Sequence, residues 1–527
     1  MSRPAPGPPR GLRPFEVRLP VKRLARFAEL LEDADYERCR EALAAGAEQL
    51  AGRVVWHVNS TARGGGVAEM MGPLIGYARD SGADMRWLVI AGTPEFFAIT
   101  KRLHNLLHAD PGDGGPLGPA QRRLYEGVLW ENAVEMSAVV RAGDVVVLHD
   151  PQTAGLVPAM SRLGAHVVWR CHIGHEEVDH PCVERGWSFL ARYVEAADAT
   201  VFSRPEYVPR CCAARPAHII APSIDPFSPK NQDLAPGAVR AILAHAGLVG
   251  NGTGGRPPTY VRDDGAPGRV DRGADILHVG RAPAWGTPLV VQVSRWDRLK
   301  DHVGVMRGFA RLDPADVSGA RLVLAGPAVT GVADDPEGPA VLEELTSAWR
   351  ALPHQTRRRV QLVSLPVVDA QENAAMVNAL QRHAAVVVQK SLREGFGLTV
   401  AEAMWKGRPV IASAVGGIVG QIDDGRDGVL LADPGDEDAF AGALKSLLDD
   451  PERAAALGAA ARERVRRNLL SIRQLLADAD LFASLGRSPQ SPVRGAPDAA
   501  RPDRWDHVDP ESPHAVGGHR IVRPEES

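Results

Sequence analysis

The chain has 527 residues, 44% of them hydrophobic and 24% charged, with a formal net charge of -4. That length exceeds what one hydrophobic core supports and points to two large domains, while the near-neutral balance gives no bias toward nucleic acid or another polyanion. Cys39, Cys171, Cys182, Cys211 and Cys212 form no CxxC pair and no apolar run reaches the length of a membrane span, so the expectation is a reduced, cytoplasmic protein with no nucleic-acid or membrane partner.

Residues 1–16 are rich in Pro, Arg and Gly and read as a disordered tail; helical spacing over 21–50 then carries Leu24, Phe27, Leu30 and Leu31. The core begins with a strand over 54–58, followed by the turn Asn59-Ser-Thr-Ala-Arg-Gly-Gly65-Gly66 and a helical pattern over 67–78. Strands over 85–91, 144–149, 166–172 and 199–202 follow, with helices between them that include 96–108 and 121–141. Strand alternating with helix predicts a mostly parallel, doubly wound sheet, assigned to residues 17–246. Residues 247–286 are dominated by Gly, Pro, Asp and Arg with little apolar periodicity, and read as a loop or disordered insertion and linker before a domain boundary. A second alternating series, with strands over 289–293, 321–325, 360–363, 384–388 and 410–412, predicts another such domain over 287–470. Helical patterns over 436–448, 452–468 and 471–483 follow, the last in a terminal segment 471–487, and 488–527 has a disordered composition. The fold class is therefore α/β, with two doubly wound Rossmann-like domains.

The most informative stretch is QKSLREGFGLTVAEAMWKGRPVIASAVGG, residues 389–417. It reads as strand, polar turn, helix. Gly395 and Gly397 let a ligand approach the backbone, and the free N–H groups and positive dipole end of the following helix favour an anion there. Glu394 and Glu402 flank this turn; carboxylates repel phosphate, so both are suited to hydroxyls. A ligand with hydroxyls at both ends and a diphosphate between them, a sugar nucleotide, has that pattern. Glu394-Gly-Phe-Gly-Leu-Thr-Val-Ala-Glu402 resembles the E-x7-E element of the family 4 retaining glycosyltransferases with the GT-B fold, in which two Rossmann-like domains face each other across a cleft. Ser294-Arg295-Trp-Asp-Arg-Leu-Lys300 closes the first strand of the second domain. An arginine fork with a lysine point charge suits a diphosphate leaving group, and the segment resembles the R-x4-K element of the same family.

Trp169-Arg-Cys-His172-Ile-Gly174-His175-Glu-Glu-Val-Asp-His180 invites a metal reading, but HEEVDH has one residue too many for HExxH, and histidines five apart lie about 140° apart around a helix. No metal site is assigned. His172 instead stands where the family keeps a histidine near the donor sugar, although Gly174 departs from the family's CHID. A narrower resemblance is carried by Trp56-His-Val-Asn-Ser-Thr-x-x-Gly-Gly-Gly-Val-Ala-Glu69, Phe97 through Lys101 to His104-Asn105, His149-Asp-Pro-Gln152, Ser223-Ile-Asp-Pro226 and Arg393 through Met404-Trp-Lys-Gly. These resemble the trehalose glycosyltransferring synthases over residues 20–245 and 287–485, with Thr153 departing from the usual HDPQP.

That resemblance implies transfer of glucose from a nucleoside diphosphate glucose to glucose, giving α,α-trehalose with retention. It implies Arg295 and Lys300 at the diphosphate, Glu394 with the backbone of Gly395, Phe396, Gly397 and Leu398 at the glucosyl group and phosphate, and Glu402 at the ribose. Gly65 and Gly66 would add donor contacts, His172 would steady the glucosyl ring, and Asn59, Asp150 and Gln152 would meet the acceptor. It implies no tightly bound cofactor, a divalent metal that is dispensable, and small-molecule sugar and sugar-nucleotide partners, with a homodimer as the oligomer allowed for. The open alternatives are another acceptor, a sucrose- or glycogen-synthase-like reaction, a sugar-nucleotide-binding regulator without turnover, and a zinc hydrolase built on His172, His175 and His180.

Overall fold

The computed structural model describes residues 13–485 except 63–64, 213–216, 251, 253–254, 314–316, 318 and 330–336. It divides into two compact units, one running to Pro222 and resuming at Ser471, the other Ser223–Leu470. Most of the segment 1–16 and all of 488–527 lie outside the described residues.

The first unit is built on seven strands: β1 (Phe15–Glu16), β2 (Val55–Asn59), β3 (Met85–Val89), β4 (Val145–His149), β5 (His166–Cys171), β6 (Ala199–Phe202) and β7 (Ala217–Ile219). Their order is β1-β3-β2-β4-β5-β6-β7, all neighbours parallel except β1, which runs antiparallel beside β3 with Phe15 opposite Val89. Every residue of β2 and β4 is buried, as expected for parallel strands covered by helices on both faces. Trp56, Trp169, Phe96, Tyr125 and Phe202 fill one of those faces. The chain steps from β2 to β3 on one side and then to β4 on the other. The loops after β2 and β4 therefore diverge at a topological switch point, where doubly wound sheets bind ligands.

The second unit repeats that plan. Three short strands come first, β8 (Thr259–Val261), β9 (Pro267–Arg269) and β10 (Asp275–Leu277), followed by β11 (Leu289–Val293), β12 (Arg321–Pro327), β13 (Val360–Leu365), β14 (Val386–Gln389), β15 (Val410–Ser413) and β16 (Val429–Leu431). The sheet order is β10-β13-β12-β11-β14-β15-β16, parallel but for β10, and its switch point lies between β11 and β14.

Two sequence expectations are corrected. Residues 223–246 belong to the second unit: the helix Pro236–His245 packs against the helix Ala370–His383, whose Asn378 Nδ2 donates to the carbonyls of Pro229 (3.0 Å) and Gln232 (2.9 Å). The segment 247–286 contains ordered structure. β8 and β9 form a hairpin, Tyr260 and Val270 are buried, and Glu372 Oε1 accepts the N–H groups of Asp271 and Arg272, each at 2.7 Å. Its order comes from partners about 100 residues away, which leave no local periodicity. The terminal segment is the helix Ser471–Leu485, and the structure adds that it belongs to the first unit, where Asp478 binds the buried Arg170 at 3.1 Å and Arg473 pairs with Asp35. Smaller differences concern the helical pattern over 21–50, which is a 3-10 turn Leu24–Glu29 and an α-helix Asp33–Gln49, and the supposed tail, whose Phe15 and Glu16 pair as β1. No helix among the described residues is long and apolar enough to cross a membrane.

Candidate functional site

In the second unit, the two motifs singled out in the sequence meet at the switch point. The loop leaving β11 carries Arg295 and Lys300, and the loop leaving β14 carries Ser391 and Glu394. Lys300 Nζ donates to Glu394 Oε2 at 2.6 Å, with side chains only 15% and 12% exposed. Behind this pair a buried relay fixes the carboxylate. Thr399 Oγ1 donates to Gln389 Oε1 (3.0 Å), Gln389 Nε2 to Ser391 Oγ (2.9 Å), and Ser391 Oγ to the same Glu394 Oε2 (3.1 Å). The Lys300 backbone is held independently, its carbonyl accepting Gln292 Nε2 at 2.8 Å while the Asp297 carboxylate caps Leu299 N–H at 2.8 Å. Asp301 follows with φ 49°, caps the helix His302–Ala310 through Gly304 N–H, and pairs with the buried Lys390 at the head of the other loop. Two polar chains thus tie the R-x4-K loop to the E-x7-E loop. Arg295 is half-exposed, its guanidinium 3.6 Å from Asp297.

The glycines open the anion site. Gly397 has φ 85° and caps the helix Leu398–Trp405, and a Cβ there would press on Glu394 Cγ and Ile418 Cγ1, each at 3.1 Å. Phe396, Gly397 and Leu398 lie at a helix start, where the first N–H groups have no helical partner. Gly395 accepts the Gly417 N–H at 3.0 Å, pinning the turn. Glu402 is buried one turn later, and its Oε1 is 3.1 Å from Lys230 Nζ. Behind it, burial holds the Lys406 ammonium pKa well below its usual value; Lys406 donates to Asn231 Oδ1 (2.9 Å) and to the Glu402 carbonyl (3.1 Å).

In the first unit, Gly65 has φ 78° and caps the helix Gly66–Asp80, placing a second helix start at that sheet's switch point. Asp150, also at positive φ (64°), opens the short helix Asp150–Thr153 after β4, and its Oδ1 accepts the His172 backbone N–H at 2.7 Å. Burial raises the Asp150 pKa to about 7, against the lowering effect of that N–H and of Arg170. Gln152 stands on the same turn with its Oε1 buried and unmatched by any protein donor among the described residues. The Asn59 side chain is buried, with Oδ1 accepting Trp87 Nε1 (2.8 Å) and Nδ2 donating to the Thr61 carbonyl (2.7 Å), which makes it a brace for the glycine turn.

His172 is not an isolated ring. His57 Nδ1 lies 3.0 Å from His149 Nε2, and His149 Nδ1 lies 2.9 Å from His172 Nε2. Burial lowers all three pKa values, that of His57 to about 3 and those of His149 and His172 well below the ordinary range, with the Arg170 guanidinium adding to the effect. Gly174, the departure from CHID, has a packing reason: a Cβ there would sit 2.4 Å from Tyr207 Cγ. His172 Nε2 faces His149, His175 Nδ1 accepts Glu177 N–H (3.1 Å), and His180 Nδ1 caps the helix Pro181–Val194 through Cys182 N–H (3.2 Å); among the described residues no three His, Cys, Asp or Glu side chains are grouped so that they could hold a metal ion.

Sequence reasoning missed His57, His149, Ser391, Lys390 and Lys230 as parts of the site. Each lies within or beside a motif already quoted, and the missing signal was adjacency: their partners are distant in sequence and meet them only in the fold. As to what the arrangement can do, the second unit offers cations and free N–H groups to an anion, with two fixed carboxylates for hydroxyls on either side.

Comparison with known proteins agrees with this division. The model "Trehalose synthase, N-terminal domain" matches residues 57–209 and "Glycosyl transferases group 1" matches residues 281–464. The trehalose synthase of Pyrococcus horikoshii is 35% identical over 467 residues, covering 88% of this chain and 97% of the relative. That of Rubrobacter xylanophilus is 36% identical over 460 residues, covering 86% and 96%. A solved α,α-trehalose-phosphate synthase (UDP-forming) from Burkholderia vietnamiensis shares the fold, with a TM-score of 0.60 at 15% identity, covering 82% of this chain and 98% of that one. With two doubly wound sheets, both family models and near full-length relatives in agreement, the chain belongs to the trehalose synthase family of glycosyltransferases with the GT-B fold.

Proposed function

We propose that this chain transfers glucose from a nucleoside diphosphate glucose to free glucose, forming α,α-trehalose with retention at the donor carbon. The observation that carries the reading is the Lys300–Glu394 pair beside the glycine-rich helix start, because it puts a cation for phosphate and a carboxylate for sugar hydroxyls within 2.6 Å of each other. Lys300 and Arg295 would meet the diphosphate as its negative charge grows, a contact that strengthens in the transition state. The N–H groups of Phe396, Gly397 and Leu398 would share that charge, Glu394 would orient the glucosyl hydroxyls, and Glu402 would hold the ribose beside Lys230. In the first unit, Gly65 and Gly66 would contribute backbone donors, His172 would steady the glucosyl ring, and Asp150 and Gln152 would receive the acceptor. The leaving phosphate oxygen can take the acceptor's proton on the face from which it departs, so no side chain need form a covalent intermediate. No tightly bound cofactor is needed, and a chelator should leave transfer intact.

The test is a panel of ADP-, UDP- and GDP-glucose, each with glucose, and of maltose alone, analysed for trehalose and released nucleotide in the presence and absence of EDTA. Trehalose in step with nucleoside diphosphate supports the reading. Trehalose formed from maltose alone, or from none of the donors, overturns it.

A further inference from the structure

Three histidines, 92 and 23 residues apart, form one file across the first sheet. β2, β4 and β5 are consecutive in it, so the middle residue of β2, His57, the last of β4, His149, and the residue after β5, His172, come side by side. The rings lie edge to edge and close to one plane, with centroids 5.3 Å apart at 28° for the first pair and 5.2 Å apart at 10° for the second. Each N···N contact of 3.0 or 2.9 Å is a hydrogen bond, and each needs one N–H and one bare nitrogen. Burial and the neighbouring Arg170, itself committed to Asp478 and the Ile220 carbonyl, keep the rings neutral.

Three neutral rings carry three ring protons, and two of them occupy the links. The third must then sit at one end, on His57 Nε2 or on His172 Nδ1. Only two arrangements exist, and they interconvert when all three rings change tautomer together. In one, His172 Nδ1 donates; in the other, it accepts. Asp150 takes the His172 backbone N–H, not its ring, so among the described residues His149 alone holds the imidazole by hydrogen bonding.

We infer that His57 and His149 are positioning residues for His172, and that the three imidazoles act as one chain presenting His172 Nδ1 to a sugar hydroxyl as donor or acceptor without any ring becoming charged. This rests on the proposed function in one respect, that a sugar hydroxyl is what His172 meets. A hydroxyl both gives and takes a hydrogen bond, and its needs change as the glycosidic bond breaks. A ring locked in one tautomer serves only one of those needs; a chain that shifts serves both.

Two measurements test the inference, and they fail separately. The first uses no substrate: ring 15N signals of His172 in uniformly histidine-labelled, full-length protein, compared between wild type and His57→Phe. A chain predicts that the His172 nitrogens change frequency when the ring two places away is replaced; unchanged frequencies overturn it. The second compares His149→Asn with His149→Gln. The Asn amide occupies the place of Nδ1, facing His172, whereas the Gln amide reaches toward the place of Nε2, facing His57. Positioning predicts that kcat/KM of the Asn variant exceeds that of the Gln variant by about tenfold, one ordinary hydrogen bond. A packing role predicts the reverse, because Gln fills the site better, and that order would refute the inference. If wild type transfers no glucose, the functional proposal fails and the 15N comparison alone judges the chain. Should His149→Gln not fold, the 15N comparison likewise decides.

Discussion

Replacing Lys300 with Ala removes the cation of the pair at the second unit's switch point while leaving its loop tethered. The Lys300 carbonyl remains on Gln292, Leu299 N–H on Asp297, and Leu392 N–H on the Leu299 carbonyl at 2.8 Å. The loss of stability should therefore be local. The pair is neither exposed nor fully buried, which places the cost at about 1–3 kcal/mol, between that of a surface pair and that of a broken buried one. That is a shift of several degrees in Tm. On the proposed role turnover should fall much further, by on the order of 10²–10³ at saturating donor, since the lost contact would meet diphosphate charge that grows in the transition state. Glu394→Gln and the double variant then separate two kinds of coupling. Either single change breaks the ion pair, so their stability costs should not add. If Lys300 addresses phosphate and Glu394 addresses sugar, their rate losses should add as logarithms. The assays are thermal melting and initial rates over a donor series. Near-normal turnover in Lys300→Ala, in a protein that makes trehalose, refutes the assignment of this loop to the leaving group.

Other consequences are as direct. Glu402→Ala should raise the donor KM about 10-fold to 100-fold through lost hydroxyl bonds worth ~1–3 kcal/mol, with kcat changed little; a large fall in kcat at unchanged KM would contradict the ribose role. Gly174→Ala should destabilise the fold by about 1–3 kcal/mol, because its Cβ would sit 2.4 Å from Tyr207 Cγ, and an unchanged denaturation midpoint would refute the packing reason. Stability should fall on acidification below pH 6.5. The folded His57 has a pKa of about 3 against an ordinary 6.5, and His149 and His172 are depressed likewise, so unfolding takes up protons there; Asp150, raised to about 7, works in the opposite sense between 3.8 and 7. Three rings against one carboxylate leave acid destabilising, and removing one ring in His149→Asn should flatten the dependence by about 1.4 kcal/mol per pH unit. Equal slopes for wild type and variant in urea titrations from pH 7 to 5 would refute this.

Much of this architecture is written locally. Buried parallel strands are short apolar runs, and where one ends in glycine and a helical pattern follows, as at Val388 to Leu398, the strand, turn and helix can be read without neighbours. The same stretch announces Glu394 and Glu402. What the sequence does not announce is adjacency. Lys300 and Glu394 are 94 residues apart and meet only because β11 lies beside β14; the histidine file needs β2, β4 and β5 in that order. The bracing role of Asn59 is hidden for a related reason, since Trp87, whose indole N–H it accepts, belongs to the neighbouring strand. Order in 247–286 depends on Glu372, on Asp369, which pairs with Arg262 at 3.0 Å, and on Gln232, whose amide bonds both the N–H and the carbonyl of Val261, and a helical pattern over 471–485 says nothing of which unit it covers. Composition and periodicity report how a segment folds, not what it folds against.

The central claim is glucosyl transfer from a nucleotide to glucose, and it can be followed atom by atom. Incubating the protein with a nucleoside diphosphate [1-13C]glucose and unlabelled glucose, and recording 13C spectra of the product, reads donor, acceptor and stereochemistry together. The account predicts trehalose with one labelled anomeric carbon per molecule, in the α configuration. Labelled free glucose without a disaccharide, a β-linked product, or trehalose that carries no label would contradict it.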